Sequence, residues 1–433
     1  MSSPKLSLRL TFVAGMAFAA SAWAGAPQPF SPEIILDAGD LRELLREQGI
    51  DFRIGYVSET ATNLQGGAQQ LWRYTDQWTF LTRLDLQKLF GIKDAQFAMA
   101  ITDRNGRNLS DDAHLGSLQQ VQELYGRGQT WRWTQFYYQQ KYAGGKLDWK
   151  VGRMGVGDDF AAFSCEFMNL TFCGSMPGNI VGDYWYNWPV SQWATRIKAN
   201  FTGFGYVQAG AYEVNPSYLE TKYAMNLGSP PGATGVLAPF EIGWLPTFHG
   251  LAGSYKFGGW YSSTSAQDVV NNTDEQPLAI YGGQPLTHHG QYGAYVNFEQ
   301  RLTAPAGTAS KRGLSAFFNA TWADRRTSTL DHQVALGLLY TGPFATRAKD
   351  QLGLAVGETH VNSRIADVQR ELNALGQQPA AVKTSEYVAE MYYNVHVAGW
   401  LDLRPNFQYV LHPGGTSQNA NNLIFGMRVA INF

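Results

Sequence analysis

The last eleven residues, LIFGMRVAINF, set Leu423, Phe425, Met427, Val429, Ile431 and Phe433 on one face of an extended chain and Ile424, Gly426, Arg428, Ala430 and Asn432 on the other. The first face is uniformly apolar and the second mostly small or polar. The same period of two runs through SEYVAEMYYNVHV, where Tyr387, Ala389, Met391, Tyr393, Val395 and Val397 oppose Glu386, Val388, Glu390, Tyr392, Asn394 and His396. It recurs in LDLRPNFQY, GAYVNFEQRL, GLSAFFNATW and QWATRIKAN. Taken along the chain, alternation predicts strands near 51–58, 75–88, 95–103, 131–142, 147–155, 191–201, 205–213 and 239–246. It continues near 251–262, 290–302, 312–324, 332–342, 348–358, 384–397, 399–410 and 421–433.

The connections alternate as well. Short joins (FGIKD, AGGK, TGFG, TFHG, TAPAGTASK, PFATRA and the bare Ala398-Gly399 junction) are interleaved with long Gly/Asn/Ser-rich stretches, 325–331 being the exception. Soluble sandwiches alternate too. An even count of about 16 strands, both ends on one side and a terminal strand finishing in an aromatic residue instead match an all-β, transmembrane antiparallel β-barrel. Closure has a physical cause, since no strand edge can be left unpaired in lipid. The barrel domain is expected over 51–433. Before it, within 25–50, LDAGDLRELLREQGI spaces Leu41, Leu44, Leu45 and Ile50 as one short N-terminal amphipathic helix does.

If the apolar side faces lipid, parity nominates the lining of a lumen. Arg83 and Asp85 oppose Trp78, Phe80 and Leu84; Arg196 and Lys198 oppose Trp193 and Ile197; Asp402 and Arg404 oppose Leu401 and Leu403. Glu299, Arg301, Glu386, Glu390, His396 and Arg428 join them. Singly, each reads equally as an ordinary wet-wall or strand-end charge. As a set they point inward, because an Arg or Lys on the lipid face near the midplane costs about 2–4 kcal/mol.

The N-terminus assigns a compartment. Lys5 and Arg9 precede the apolar LTFVAGMAFAA, and Ala22-Trp23-Ala24 is a cleavage signal, so 1–24 reads as a signal peptide and Gly25 as the first mature residue. No later apolar run reaches the roughly 18 residues of a transmembrane helix. Charged residues are only 16% and aromatic residues 14%, a balance suited to a surface partly out of water. The formal charge is −2, two of its cations lie in the leader, and no basic stripe offers nucleic acid a footing. No linker or composition shift divides the chain.

Export also bears on the cysteines. Cys165 and Cys173, in SCEFMNLTFCGS, are the only two. C-x7-C fits neither a CxxC redox pair nor a zinc site with its four ligands, which favours a disulfide. Closing so small a ring restrains the unfolded chain by about 2–3 kcal/mol. The pair lies in the third long connection, 156–190, followed by VGDYWYNWPVSQW. Loops of this kind fold into the lumen of large barrels, so the pair is expected to staple a constriction. Tyr184, Trp185, Tyr186 and Trp188 become candidate stacking residues, though aromatic residues pack loop cores and interface girdles equally well.

An enzyme or a purely structural barrel are the rival classes. There is no GxSxG, HExxH, P-loop or complete GxGxxG. His288-His289 sits in an expected long connection and reads as a solvated pair; neither metal nor cofactor is expected.

Several stretches, in order, carry a resemblance: GIDFRIGYVSET, TDRNGRNLS, VGRMGVGDDFA followed by the cysteine pair, VQAGAYEVNP, and RPNFQYVLHPGG with LIFGMRVAINF. The chain resembles the OprB-type carbohydrate-selective porins of Gram-negative outer membranes. The resemblance implies a 16-stranded barrel set in outer-membrane lipid and lipopolysaccharide, passing sugars such as glucose, with charged and aromatic residues at its narrowing. It also implies that Arg153 reaches this eyelet. Parity opposes that, since Arg153 follows the outward Trp149 and Val151 unless a bulge at Gly152 turns it. Arg forks and carboxylates suit a neutral polyol, and rings cover its C–H faces. Mixed-sign walls also occur in general diffusion porins, the second reading. Assembly is left open between monomer and homotrimer.

Overall fold

Strands whose outward residues are Leu, Val, Phe and Tyr and whose inward residues are Gln, Asn, Thr and Glu must pair on both edges, because neither face supplies spare backbone partners. The computed structural model describes residues 40–201, 203–305, 311–376 and 381–433; the expected leader, 1–24, lies outside them. Its strands are β1 (Ile50–Gln65), β2 (Trp72–Asp85), β3 (Ala95–Gly106), β4 (Trp131–Tyr142), β5 (Leu147–Met154) and β6 (Gln192–Phe201). There follow β7 (Gly205–Val214), β8 (Gly235–Trp244), β9 (Thr247–Phe248), β10 (Leu251–Asn272), β11 (Pro285–Arg301) and β12 (Gly313–Ala323). The last are β13 (Leu330–Thr341), β14 (Gln351–Val361), β15 (Ser385–Ala398), β16 (Leu401–Leu411) and β17 (Asn422–Asn432). Apart from the two-residue β9, these form a 16-strand antiparallel wall, and β17 pairs with β1 from Gly55↔Asn432 onward to close it.

Each expected strand has a counterpart. The differences are in length: β10 runs on to Asn272 and β11 begins at Pro285, well beyond the apolar alternation that nominates them. Past the membrane both faces of a strand are wet, so the ladder continues where the hydrophobic period has stopped. On the lipid side Leu354, Met391 and Trp322 are about half exposed, whereas inward Gln408, Asn319 and Gln333 are buried.

The short-turn end carries both barrel termini. There the helix Asp40–Glu47 docks beside β1, and Arg42 donates to the carbonyls of Phe433 (3.0 Å) and Phe52 (2.7 Å). Its Leu41 and Leu44 remain exposed. It therefore sits at the periplasmic rim, tying the first strand to the last.

The candidate constriction

The connection 155–191 turns into the lumen, and the wall holds it through contacts to both its backbone and its side chains. Glu390 on β15 accepts from the Met168 and Asn169 amides at 2.9 and 2.8 Å. The Asn169 amide group reaches Gln408 on β16 at 2.9 Å, and Arg404 binds Glu166 through its backbone carbonyl and, at 3.2 Å, its carboxylate. Glu241 on β8 accepts from the Ala161 amide (2.9 Å), Tyr206 (2.7 Å), Gln208 (2.8 Å) and Tyr295 (2.8 Å). Lys256 donates to the Ala162 carbonyl. Lys150 and Arg196 face Asp159 at 2.9 and 3.4 Å, and Arg196 also meets Asp148 at 3.1 Å. Burial raises the Asp158 carboxyl to about 6, while next to it Lys150 and Arg196 outweigh burial and hold Asp159 below its ordinary value. Packing completes the attachment: Phe167 meets Tyr392 with centroids 4.9 Å apart, and Phe163 meets Phe317 at 4.8 Å. Cys165 and Cys173 are joined as a disulfide within this segment.

The preceding connection, 107–130, also folds inward. Glu386 accepts from the Leu118 and Gln119 amides at 2.7 and 3.3 Å, and the two inward loops bond to each other, Glu123 N to Met168 O at 3.0 Å and Leu170 N to Gln120 O at 2.9 Å. Together they fill the lumen against β8, β10 to β12, β15 and β16, leaving a gap beside β1, β2, β3 and β17. Gln77, Arg104, Glu123, Arg127, Trp188, Arg428 and both cysteines line it. Arg428 is forked between Glu59 and Glu123, each at 2.8 Å. Gln77 accepts from Arg104 Nε at 2.8 Å and from the Trp188 indole at 3.1 Å, and Arg127 donates to the Gly182 carbonyl at 2.8 Å. Three guanidiniums, one carboxylate, the Gln77 amide and one indole thus line a single gap.

Residues 69–433 match the family described as carbohydrate-selective porin, OprB family. The chain belongs to this family. It is 43% identical over 426 residues to Porin B of Pseudomonas aeruginosa, covering 94% of this chain and 93% of that protein. It is 33% identical to the putative porin QuiX of Acinetobacter baylyi, over 92% of each. The high-pH structure of Pseudomonas putida OprB superposes with a TM-score of 0.88 at 43% identity, covering 92% of this chain and 97% of that one. The protein is an outer-membrane porin for carbohydrates, and its family is one of channels.

Within this OprB-family barrel the residues nominated by parity separate into groups. Arg428 alone of the nominated charges lines the gap. Arg196, Glu390 and Arg404 hold the inward loop, and Lys198 rests its ammonium 3.6 Å from the Tyr206 ring centroid. Asp402 meets His396 at 3.1 Å, and Glu299 lies near Lys256 and Glu166. Arg83 and Asp85 line a separate cavity at the periplasmic mouth, where Asp85 also caps the helix Leu86–Phe90 by accepting from the Gln87 and Lys88 amides. Arg301 donates to the Thr303 and Arg312 carbonyls, bracing a periplasmic turn.

Two expectations are corrected. The register Phe136↔Arg153, Tyr137↔Gly152, Tyr138↔Val151 is continuous, so no bulge re-aims Arg153. Gly152 does adopt φ +140, where a Cβ would strike the Phe136 carbonyl. Arg153 instead lies under the connection 215–234 at the extracellular rim, donating to the Asn226 and Ser191 carbonyls at 2.9 Å each, 4.4 Å from the Tyr218 ring centroid. Of the four aromatic candidates, Tyr184, Trp185 and Tyr186 are fully buried; Tyr184 accepts from the Trp260 indole at 3.1 Å and Trp185 donates to Ser175 at 3.0 Å. They are the loop's own core, and only Trp188 faces the gap. Sequence reasoning missed Arg104, Glu123 and Arg127. Arg104 continues the inward parity of Ala98, Ala100 and Thr102 one residue past the expected strand end; the other two sit in an aperiodic loop that gave no signal.

Proposed function

We propose that sugars pass through the gap between the inward loops and the wall of β1, β2, β3 and β17. The convergence of Arg104, Arg127, Arg428, Glu123, Gln77 and Trp188 on that one passage carries this reading. A sugar sheds water on entering. Guanidinium forks donate to its hydroxyl oxygens, Glu123 and Gln77 accept from its hydroxyl hydrogens, and the indole covers a C–H face. Each group is already held by protein partners, so the site is preorganised, and exchange with those partners keeps binding weak enough for release. The inward loops act as the constriction, and the stapled turn forms part of its rim. Export with removal of 1–24, leaving Gly25 first, completes the reading, with lipopolysaccharide around the outer half of the wall.

Swelling of proteoliposomes tests it. Entry of a monosaccharide should saturate and be slowed by a second sugar, while a neutral solute of equal size should show neither effect. Equal, non-saturating entry of all solutes would instead support a general diffusion porin.

A further inference from the structure

Outside the lumen, β13 and β14 set two imidazoles opposite each other. His332 and His360 are cross-strand partners whose rings stack with centroids 4.4 Å apart. Between Leu330 and His332 the ladder steps by two residues on β13 but by one on β14, from Val361 to His360. This bulge leaves Asp331 without a directly opposed partner and lets its carboxylate turn toward the pair instead of following the strict alternation of the strand. One oxygen, Oδ1, lies 2.9 Å from His332 Nδ1 and 2.7 Å from His360 Nδ1. The other, Oδ2, lies 3.3 Å from Arg325 Nε. The aspartate side chain is 7% exposed and the imidazoles 27% and 20%, so the cluster is seated in the wall and partly exposed on its outer face. Among the described residues one other group brings three such donors together, Glu123 with Cys165 and Cys173, and its sulfurs are joined to each other.

We infer that Asp331, His332 and His360 form a binding site for a divalent transition cation, with Zn2+ the ion that fits best. The three donor atoms already lie within 4.8 Å of one another. Two imidazole nitrogens and one carboxylate oxygen are a three-ligand set for zinc, the fourth tetrahedral position being left to water. Zinc bonds of about 2.0–2.2 Å in a tetrahedron separate ligand atoms by about 3.3 Å. The Asp–His contacts need to open by only about 0.5 Å to reach that spacing, within the reach of side-chain rotation. On binding, each ring ligates as the neutral imidazole through Nδ1 with its single N–H on Nε2, and any further proton the rings carry is released to solvent. Arg325 engages the non-ligating oxygen and so orients the carboxylate, as outer partners of metal ligands do. Pairing across rigid strands fixes the two imidazoles, which explains why no linear motif announces the site.

Titration of the folded, tag-free, full-length barrel in detergent decides the matter. Co2+, followed by the visible bands of a tetrahedral complex, should bind with one equivalent and be displaced by Zn2+. His332→Gln and His360→Gln should each weaken binding at least tenfold, Asp331→Asn likewise, and His288→Gln, whose ring meets Asp268, should leave it unchanged. Absence of one-equivalent binding in the wild-type barrel would overturn the assignment. So would binding retained by any correctly folded variant of the three ligands, with folding read from heat-shifted gel mobility.

Discussion

Glu390 and Glu123 are carboxylates inside the same barrel, and they are used differently. Glu390 is buried and satisfied by two loop amides, so it holds a segment in place. Glu123 shares the Arg428 guanidinium with Glu59 beside the gap, with Arg104 and Trp188 on the same rim. The first half of the lumen uses its charges on loop backbone, whereas the second gathers them around space. An inward charge is therefore weak evidence for substrate contact; the partner of the charge is the better guide.

The contrast breaks most readily on the loop side. Glu390→Ala leaves the Met168 and Asn169 amides without their acceptor, at about 1–3 kcal/mol. Single-channel recording should show larger, noisier conductance and loss of discrimination between sugars; unchanged conductance would detach Glu390 from loop position. Replacing both Cys165 and Cys173 by Ser should lower stability by about 2–3 kcal/mol, read from denaturant unfolding of the folded barrel in detergent, with a smaller rise in conductance.

A pH scan probes the same half more gently. Asp158 titrates at about 6 in the folded loop and near 4 when unfolded. The protonated form is favoured by folding, so this group's contribution is fully present below about 4 and fades as pH rises through about 6. Asp158→Asn should flatten that part of the stability profile, and a profile identical to wild type would contradict the assignment. The smallest effect on transport is expected at the rim: Arg153→Gln should loosen the 215–234 connection, seen as faster proteolysis there, while sugar affinity stays within about twofold. A larger change in sugar affinity would place Arg153 on the pathway after all.

Most of the barrel was legible in the sequence because lipid imposes a period of two on every strand that crosses it. What was not legible follows from where that constraint ends. The upper part of β10 has water on both faces and no period to read. The inward fold of 107–130 depends on long-range acceptors such as Glu386, which no local pattern announces. Tyr184, Trp185 and Tyr186 looked the same as Trp188 because an aromatic residue that packs a loop and one that lines a pore have the same composition. Parity gave the side of the wall for Arg404 and Arg428 alike. It could not say that one would meet Glu166 and the other the gap.

The most direct test of that division compares Trp188→Ala with Tyr184→Phe by sugar block of single-channel current. The sugar concentration for half block should rise about tenfold in Trp188→Ala, equivalent to about 1.4 kcal/mol, and stay unchanged in Tyr184→Phe. Equal shifts in both variants, or no saturable block in the wild-type channel, would contradict a sugar pathway through the gap beside β1, β2, β3 and β17.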